Sequence, residues 1–512
     1  MHMKFNRFVW ELFTQSDRGK KAIKKYSHLT NEFIDEWCRT IDFEFFEEFK
    51  ERFQVPSLSI DVPNLVRQSI SEVKFKGLEE ASRYYIDTMV SKGIPFEMAD
   101  NAGNKEVVAG FPLENEEDWY DYVAAVSLGL YQGQPDYFLP YNFRGKFNQV
   151  EEIHAEFNIP LPPVPGKADK SGRCLYYASI NGVWQEFRLR YGLSPVEMCA
   201  FLYDFAQEFI TPMDASDLPL PSKVWFITGG SWDIETVDKA TFDTVTRWSG
   251  NTAIRRGDIL MMYLVNPRKA IESIWRAATD GSIDPFLHYH VTVWICSHIK
   301  IAPVTFAELK NHPILSKKSA IKANFQGPSS RASCTVEEYE AVLKIMENKG
   351  QDLSILPRIP LNQQLPQVEL QNERDVEVHL IEPFLNRLGY KETDWIRQMS
   401  VKMGRGERNY PDYVFGAKTR RGEESAKMVL ESKYQLSAQR EFVDAFYQVK
   451  SYALRLQSKV MAMAAKEGVW IFPLENGTFD IKKAIHKTWG ELAHPDIFHE
   501  VLTRIGKNDV LG

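Results

Sequence analysis

The sequence contains no stretch of the eighteen or so uncharged apolar residues that a membrane-spanning helix requires. Its opening, MHMKFNRFVWELFTQSDRGKK, lacks the apolar run and small-residue cleavage site of a secretory signal. A cytoplasmic protein without membrane contact is expected. Cysteine is scarce: Cys38, Cys174, Cys199, Cys296 and Cys334 are scattered, odd in number and form no CxxC pair. That pattern argues against a disulfide framework or a zinc site and leaves buried, inert thiols. No GxxxxGK[ST] sequence occurs, so the chain has no phosphate-cradling P-loop and supplies no motor of that kind. The eleven histidines include no HxxxH or HExxH pattern, His288 and His290 read as one strand face, and a GxSxG elbow is missing.

What is present describes an ordinary globular chain. Its 512 residues are 44% hydrophobic, 13% aromatic and 26% charged. At about 100 to 200 residues per domain, three modules are favoured, with two or four as alternatives. The net charge of −7 hides an asymmetry. Residues 1–221 carry 23 Lys+Arg against 34 Asp+Glu, a balance of −11. Residues 222–350 carry 16 against 13, 351–372 carry 1 against 2, and 373–512 carry 22 against 20. A polyanion is repelled by the first part and tolerated by the others.

Two proline-rich stretches punctuate the chain. IPLPPVPGKADKSG (159–172) is incompatible with a helix interior or a central strand, because proline lacks an amide proton and fixes φ. ILPRIPLNQQLPQVELQ (355–371) has no packing periodicity and reads as a semi-rigid spacer, so 351–372 is expected to be a linker. Residues 1–221 show apolar residues three and four apart and read as mainly helical. Within them, two helices should be split at Gly192 and Leu193, the second capped by Ser194 with Pro195 first and Glu197 three on.

From Lys223 the runs KVWFITGG, GDILMMYLV, KAIESIWRAA and YHVTVWICSHI are β-branched and aromatic, so 222–350 reads as a β-rich domain. It is closed by a helix with Thr335 as cap and Glu338 three on. Residues 373–512 read as helix, three strands and helix, an α/β domain. There ERDVEVHLIEPFLNRLGY stops at Gly389 and RQMSVKM is a strand. The long second helix aligns Phe442, Phe446, Val449, Ala453, Leu456 and Val460 on one face. The fold class expected is multidomain α+β.

The residues that point to chemistry are Pro411-Asp412 and, nineteen positions after the aspartate, Glu431-Ser432-Lys433. Hydrolysis of a phosphodiester with a divalent ion needs hard oxygen ligands, an acidified water and a nearby cation. On a strand, Glu431 and Lys433 share a face and Ser432 points away. Asp412, at the start of the preceding strand, is expected to meet Glu431 across a hairpin. PD followed by ExK on adjacent strands resembles the PD-(D/E)xK nuclease superfamily. ERDVEVHLIEPFLNRLGY is similar to the first helix of the N-terminal nuclease domain of type I restriction-enzyme motor subunits, in which a glutamate lies about ten residues before a proline. Glu373 precedes Pro383 by that distance, with Glu377 as the alternative. Gln448 and Tyr452 reproduce the group's QxxxY element on one helix face.

The resemblance covers about 373–475. It implies that Asp412 and Glu431, with Glu373 through water, hold Mg²⁺ (or Mn²⁺). Lys433 would position the nucleophile or stabilise the transition state, and Gln448 and Tyr452 would order the site.

In 222–350, Trp225, Trp275 and Trp294 fall in expected strands and read as core, whereas Trp232 and Trp248 fall in expected loops, where a flipped base can stack. KVWFITGGS, then RWSGNTAIRRGDILMMYLV, APVTFAELKNHPIL and EEYEAVL resemble in order the EVE and YTH branch of the PUA-like superfamily. The resemblance implies an aromatic cage for a modified base, with Trp248 and Trp232 as walls and Asn251 as an edge reader. Asp280, Phe286 and Tyr289 are further candidates.

Together these readings imply a modification-dependent endonuclease of a restriction or anti-phage system acting on DNA, specific through base contacts. Alternatives are a nuclease subunit of a larger defence complex, docked through the acidic first part, or a non-catalytic reader. With one site per chain, double-strand cleavage would call for a homodimer or sequential nicks. The role of 1–221 stays open at this stage.

Overall fold

A computed structural model describes residues 5–38, 57–59, 62–90, 96–99, 105–108, 116–287, 290–359, 369–402, 408–420 and 423–511. Its architecture is mixed α/β, with several sheets and helices. Local capping chemistry sets the helix starts. Ser194 accepts from the Glu197 amide and Glu197 accepts from the Ser194 amide, a reciprocal box that starts Pro195–Ala200. Thr335 and Glu338 do the same for Val336–Asn348. Lys170–Tyr191 ends where Gly192 adopts a left-handed φ of 62°.

The N-terminal region is helical around an aromatic core in which Trp10, Tyr141, Tyr177 and Trp184 are fully buried. It also contains a three-stranded antiparallel sheet, Ser57–Ser59, Phe96–Ala99 and Lys105–Val108, that the helical reading omits. These strands are three or four residues long, too short for a period-2 signal to stand out. The long helix begins inside the first proline-rich stretch, with Asp169 as its cap. All five cysteines are buried.

The middle region is built on a sheet ordered 333–334, 224–229, 259–264, 270–277, 291–305 and 246–249, with 282–283 also paired to 291–305. Only 224–229 and 259–264 are parallel. Two expectations need correction. Trp248 is not in a loop: it lies in the strand Thr246–Ser249, paired with Val293, and its ring is 8% exposed within the apolar core. The strand TRWS is followed by a Gly-Asn turn signal, Gly250-Asn251, and that signal belongs after the strand instead of around the tryptophan. Residues 351–359 are not a free spacer either, since Leu356 and Ile359 are buried in the middle region's core and Pro357 accepts from the Tyr339 hydroxyl. Residues 360–368, His288 and Tyr289 lie outside the described residues.

The C-terminal region has the expected order of helix, strands and helix, and then adds strands. Glu373–Val376, Glu377–Ile381 and Glu382–Arg387 run on as one helix whose middle segment is π-helical. A six-stranded sheet follows, ordered 395–397, 413–415, 428–432, 460–465, 468–473 and 485–487. Strands 428–432 and 460–465 are parallel and joined through the helix Gln439–Arg455. RQMSVKM is interrupted: Trp395–Arg397 joins the large sheet, Gln398 takes a positive φ of 47°, and Val401–Lys402 pairs separately with Arg408–Asn409. Val460 opens a strand and does not extend the helical stripe.

Strand alternation divides this core in two. Tyr413, Phe415, Met428 and Leu430 face the first helix and the C-terminal helices, with Val376, Phe384 and Phe498. Val414 and Val429 face the long helix, with Phe446 and Val449. Burying each such side chain contributes roughly 1.5–3 kcal/mol. The same alternation fixes where the polar residues at the strand ends can go.

Candidate active site

Glu431 continues the face of Val429, and Ser432 that of Leu430. Glu431 therefore meets the long helix: its Oε1 accepts from Gln448 Nε2 at 2.6 Å and from Lys433 Nζ at 2.9 Å, and Gln448 also donates to the Tyr452 hydroxyl at 3.2 Å. Ser432 meets the first helix. Its Oγ lies 2.9 Å from Glu377 Oε1, 3.0 Å from Asp412 Oδ2 and 3.5 Å from Glu373 Oε1. Its backbone N–H donates to the same Asp412 oxygen at 2.9 Å. Asp412 links the two sides, because its charge also bears on Glu431 and Lys433. The structure thus gathers Glu373, Asp412, Glu431, Lys433, Gln448 and Tyr452 in one place.

Glu373, Glu377 and Asp412 each offer an oxygen within 4.8 Å of the others. Glu377, the alternative at sequence level, is as close as Glu373 and is held more firmly. Arg374 Nη1 donates to its Oε2 at 2.7 Å, and Arg397 donates to the same oxygen and, at 2.7 Å, to Glu382. Arg374, Arg397 and Glu382 have no role in the sequence reading, and Ser432 is placed there only on the face opposite Glu431 and Lys433. The π-helical turn that aims Glu377 has no sequence signature, whereas the place of Ser432 was available from the strand period alone.

Charge in this cluster does not balance among the described residues. Glu373, Glu377, Glu382, Asp412 and Glu431 face Arg374, Arg397 and Lys433, five against three, which leaves two negative charges. Protons take up part of the deficit: burial, with Asp412 adding, pushes Glu431 up to about 7. Burial, with Asp412 and Glu377 adding, raises Glu373 against the pull of Lys433. Burial acts to raise Glu377 too, yet Arg374, Arg397 and Ser432 hold it below the usual range. Burial opposes the charge on Lys433, but Glu431 outweighs it and the ammonium is kept above its ordinary value. Glu431 is 2% exposed and its Oε2 has no hydrogen-bond partner among the described residues. The donors are all hard oxygens, the set a divalent cation such as Mg²⁺ takes.

The residues assigned to a base cage differ from one another in exposure and in what they bond. Trp232 is 74% exposed in the turn Ser231–Asp233, its ring laid against Gly230. Trp248 donates its indole N–H to the Thr228 carbonyl at 2.9 Å and is packed below the surface. Asn251 caps its own turn, accepting from the Ala253 amide at 2.9 Å and donating to the Arg331 carbonyl at 3.4 Å. Phe286 is buried against Tyr141 of the N-terminal region, 4.7 Å between centroids. Asp280 accepts from the Arg256 amide and from Asn508 of the C-terminal region. Trp225 and Trp275 are core, whereas Trp294 is half-buried and donates to the Gly145 carbonyl across a regional boundary.

No protein-family model matches the chain, and no curated protein matches it. Among solved structures it is similar to a Rhodopseudomonas palustris protein determined by NMR, at 25% identity over 25% of this chain and 94% of that chain, with a TM-score of 0.21. It is similar to an Agrobacterium tumefaciens protein determined by X-ray crystallography, at 21% identity over 27% and 99%, with a TM-score of 0.22. A third is ASCH from Zymomonas mobilis, at 17% identity over 24% and 96%, with a TM-score of 0.17. Each likeness is local to about a quarter of this chain and assigns no activity.

Proposed function

We propose that the chain is a metal-dependent DNA endonuclease of a restriction or anti-phage defence system, with a nucleic-acid-reading middle region. The observation that carries the reading is the excess, among the described residues, of two carboxylate charges around Asp412 together with the buried Oε2 of Glu431, which no described residue pairs. Glu373, Asp412 and Glu431 are the residues that would hold Mg²⁺ or Mn²⁺, with Glu377 at the edge of the set. The ion, when bound, supplies an acidified water and neutralises charge on the phosphate.

The chain's own groups do the rest. Lys433, kept protonated by Glu431, presents an ammonium to the scissile phosphate and stabilises the charge that builds on its oxygens. Gln448 holds Glu431 from the helix and is steadied by Tyr452. In the middle region the free face of Trp232 offers a base a stacking surface, and Trp248 supports the strand from beneath.

The test incubates the purified full chain and Mg²⁺ with duplexes that differ only in cytosine or adenine modification. Metal-dependent cleavage of at least one modified duplex, abolished by chelation, is expected. Absence of hydrolysis on every duplex in both Mg²⁺ and Mn²⁺ would leave only a binding protein.

A further inference from the structure

We infer that Ser432, the residue between the two chemistry-bearing side chains of Glu431-Ser432-Lys433, is a positioning residue: with Glu377 and Arg397 it forms a relay that sets the orientation of the Asp412 carboxylate. This rests on the reading of the cluster as a cation site. The hydroxyl of Ser432 is fully buried and has one proton to give, yet three carboxylate oxygens lie within 3.5 Å of it.

The outer contacts decide how the relay is held. Glu377 has both oxygens engaged, Oε2 by Arg374 and Arg397 and Oε1 by Ser432. It is a fixed post. Arg397 is itself fixed by Glu382 and by the Tyr413 ring, 4.9 Å from its guanidinium. Ser432 then holds Asp412 Oδ2 twice, through its amide and beside its hydroxyl. Among the described residues the Glu373 carboxylate makes only the 3.5 Å hydrogen-bond contact, which makes it the member best able to shift onto an ion. Groups that orient metal-binding carboxylates typically change metal affinity by about 10- to 100-fold when removed.

The experiment titrates Mn²⁺ alone, without nucleic acid, into the full chain and into S432A and R397Q, followed by electron paramagnetic resonance. S432A should raise the Mn²⁺ Kd about tenfold and R397Q by a smaller factor in the same direction. Cleavage by S432A should recover at saturating Mn²⁺, which a merely structural role would not predict. A wild-type Mn²⁺ Kd in S432A overturns the relay and leaves the nuclease reading intact. Weakened binding in S432A with no cleavage of any DNA by the wild type keeps the relay and removes the nuclease reading. A wild-type chain that binds no Mn²⁺ removes both. Should S432A fail to fold, R397Q decides: an unchanged Kd there overturns the relay.

Discussion

The two candidate sites of this chain were inferred from comparable sequence signals and came out differently. Around Asp412, every residue singled out converges with its fellows, and the network extends to residues that were not. Around Trp232 and Trp248, one ring is exposed and the other is core. The difference lies in what carries the side chains. A strand has a period of two and a helix places i and i+4 together, so spacing on these elements determines which residues share a face. A loop has no period, and residues such as Asn251 and Phe286 go wherever a turn or a neighbouring region takes them.

The largest expected effects break the first member of this comparison. D412A should abolish metal-dependent hydrolysis, and K433A should lower kcat by about 10²- to 10³-fold, the usual cost of losing one group that stabilises transition-state charge. Single-turnover cleavage in Mg²⁺ measures both. A K433A chain that cleaves at the wild-type rate would remove the amine from the mechanism.

The second member separates by observable. W248A should destabilise the fold by about 3–5 kcal/mol, as for a buried tryptophan whose indole N–H is satisfied. W232A should leave thermal stability almost unchanged and weaken oligonucleotide binding by about 1–3 kcal/mol. Melting curves and binding isotherms on the same two variants test the contrast. Equal weakening on modified and unmodified oligonucleotides by W232A would reduce the middle region to a general nucleic-acid binder. Unchanged affinity would remove its role altogether.

How much of this was legible follows the same line. The capped helices at Ser194 and Thr335, the first helix with its stop near Gly389 and the strand carrying Glu431 were readable because each rests on local hydrogen bonding or a short period. Arg374 lies three residues before Glu377 on the same helix, so that pair follows from spacing. Arg397 was not legible, since only the tertiary packing of the first helix on the sheet brings it to the same carboxylate. The break at Gln398 was equally invisible, since its positive φ occurs at a residue type with no preference for it. Residues 351–359 misled for a different reason: prolines exclude regular structure but not burial, and Leu356 and Ile359 supply the apolar surface.

The smallest effect separates two titrations of opposite sign within the C-terminal region. Glu431, raised by burial to about 7 from 4.5, keeps its proton in the folded chain at pH values where the unfolded chain has lost it. Its contribution to stability is full below pH 4.5 and is lost as pH rises through 7, at no more than about 1.4 kcal/mol per unit. His499 sits against Ser222 and Trp225 of the middle region, and burial, aided by Lys223 and Arg255, lowers it to about 3 from 6.5. Its contribution is present above pH 6.5 and is lost as pH falls toward 3. Between pH 4.5 and 6.5 the two slopes oppose each other. E431Q removes one slope and exposes the other. Its melting temperature should gain on the wild type steadily from pH 5 to pH 7.5. Mn²⁺ should erase that gain by holding Glu431 ionised in the folded wild type. A gap between E431Q and the wild type that does not change with pH would mean Glu431 has no burial-raised titration, and the charge deficit around Asp412 would have to be met by other groups.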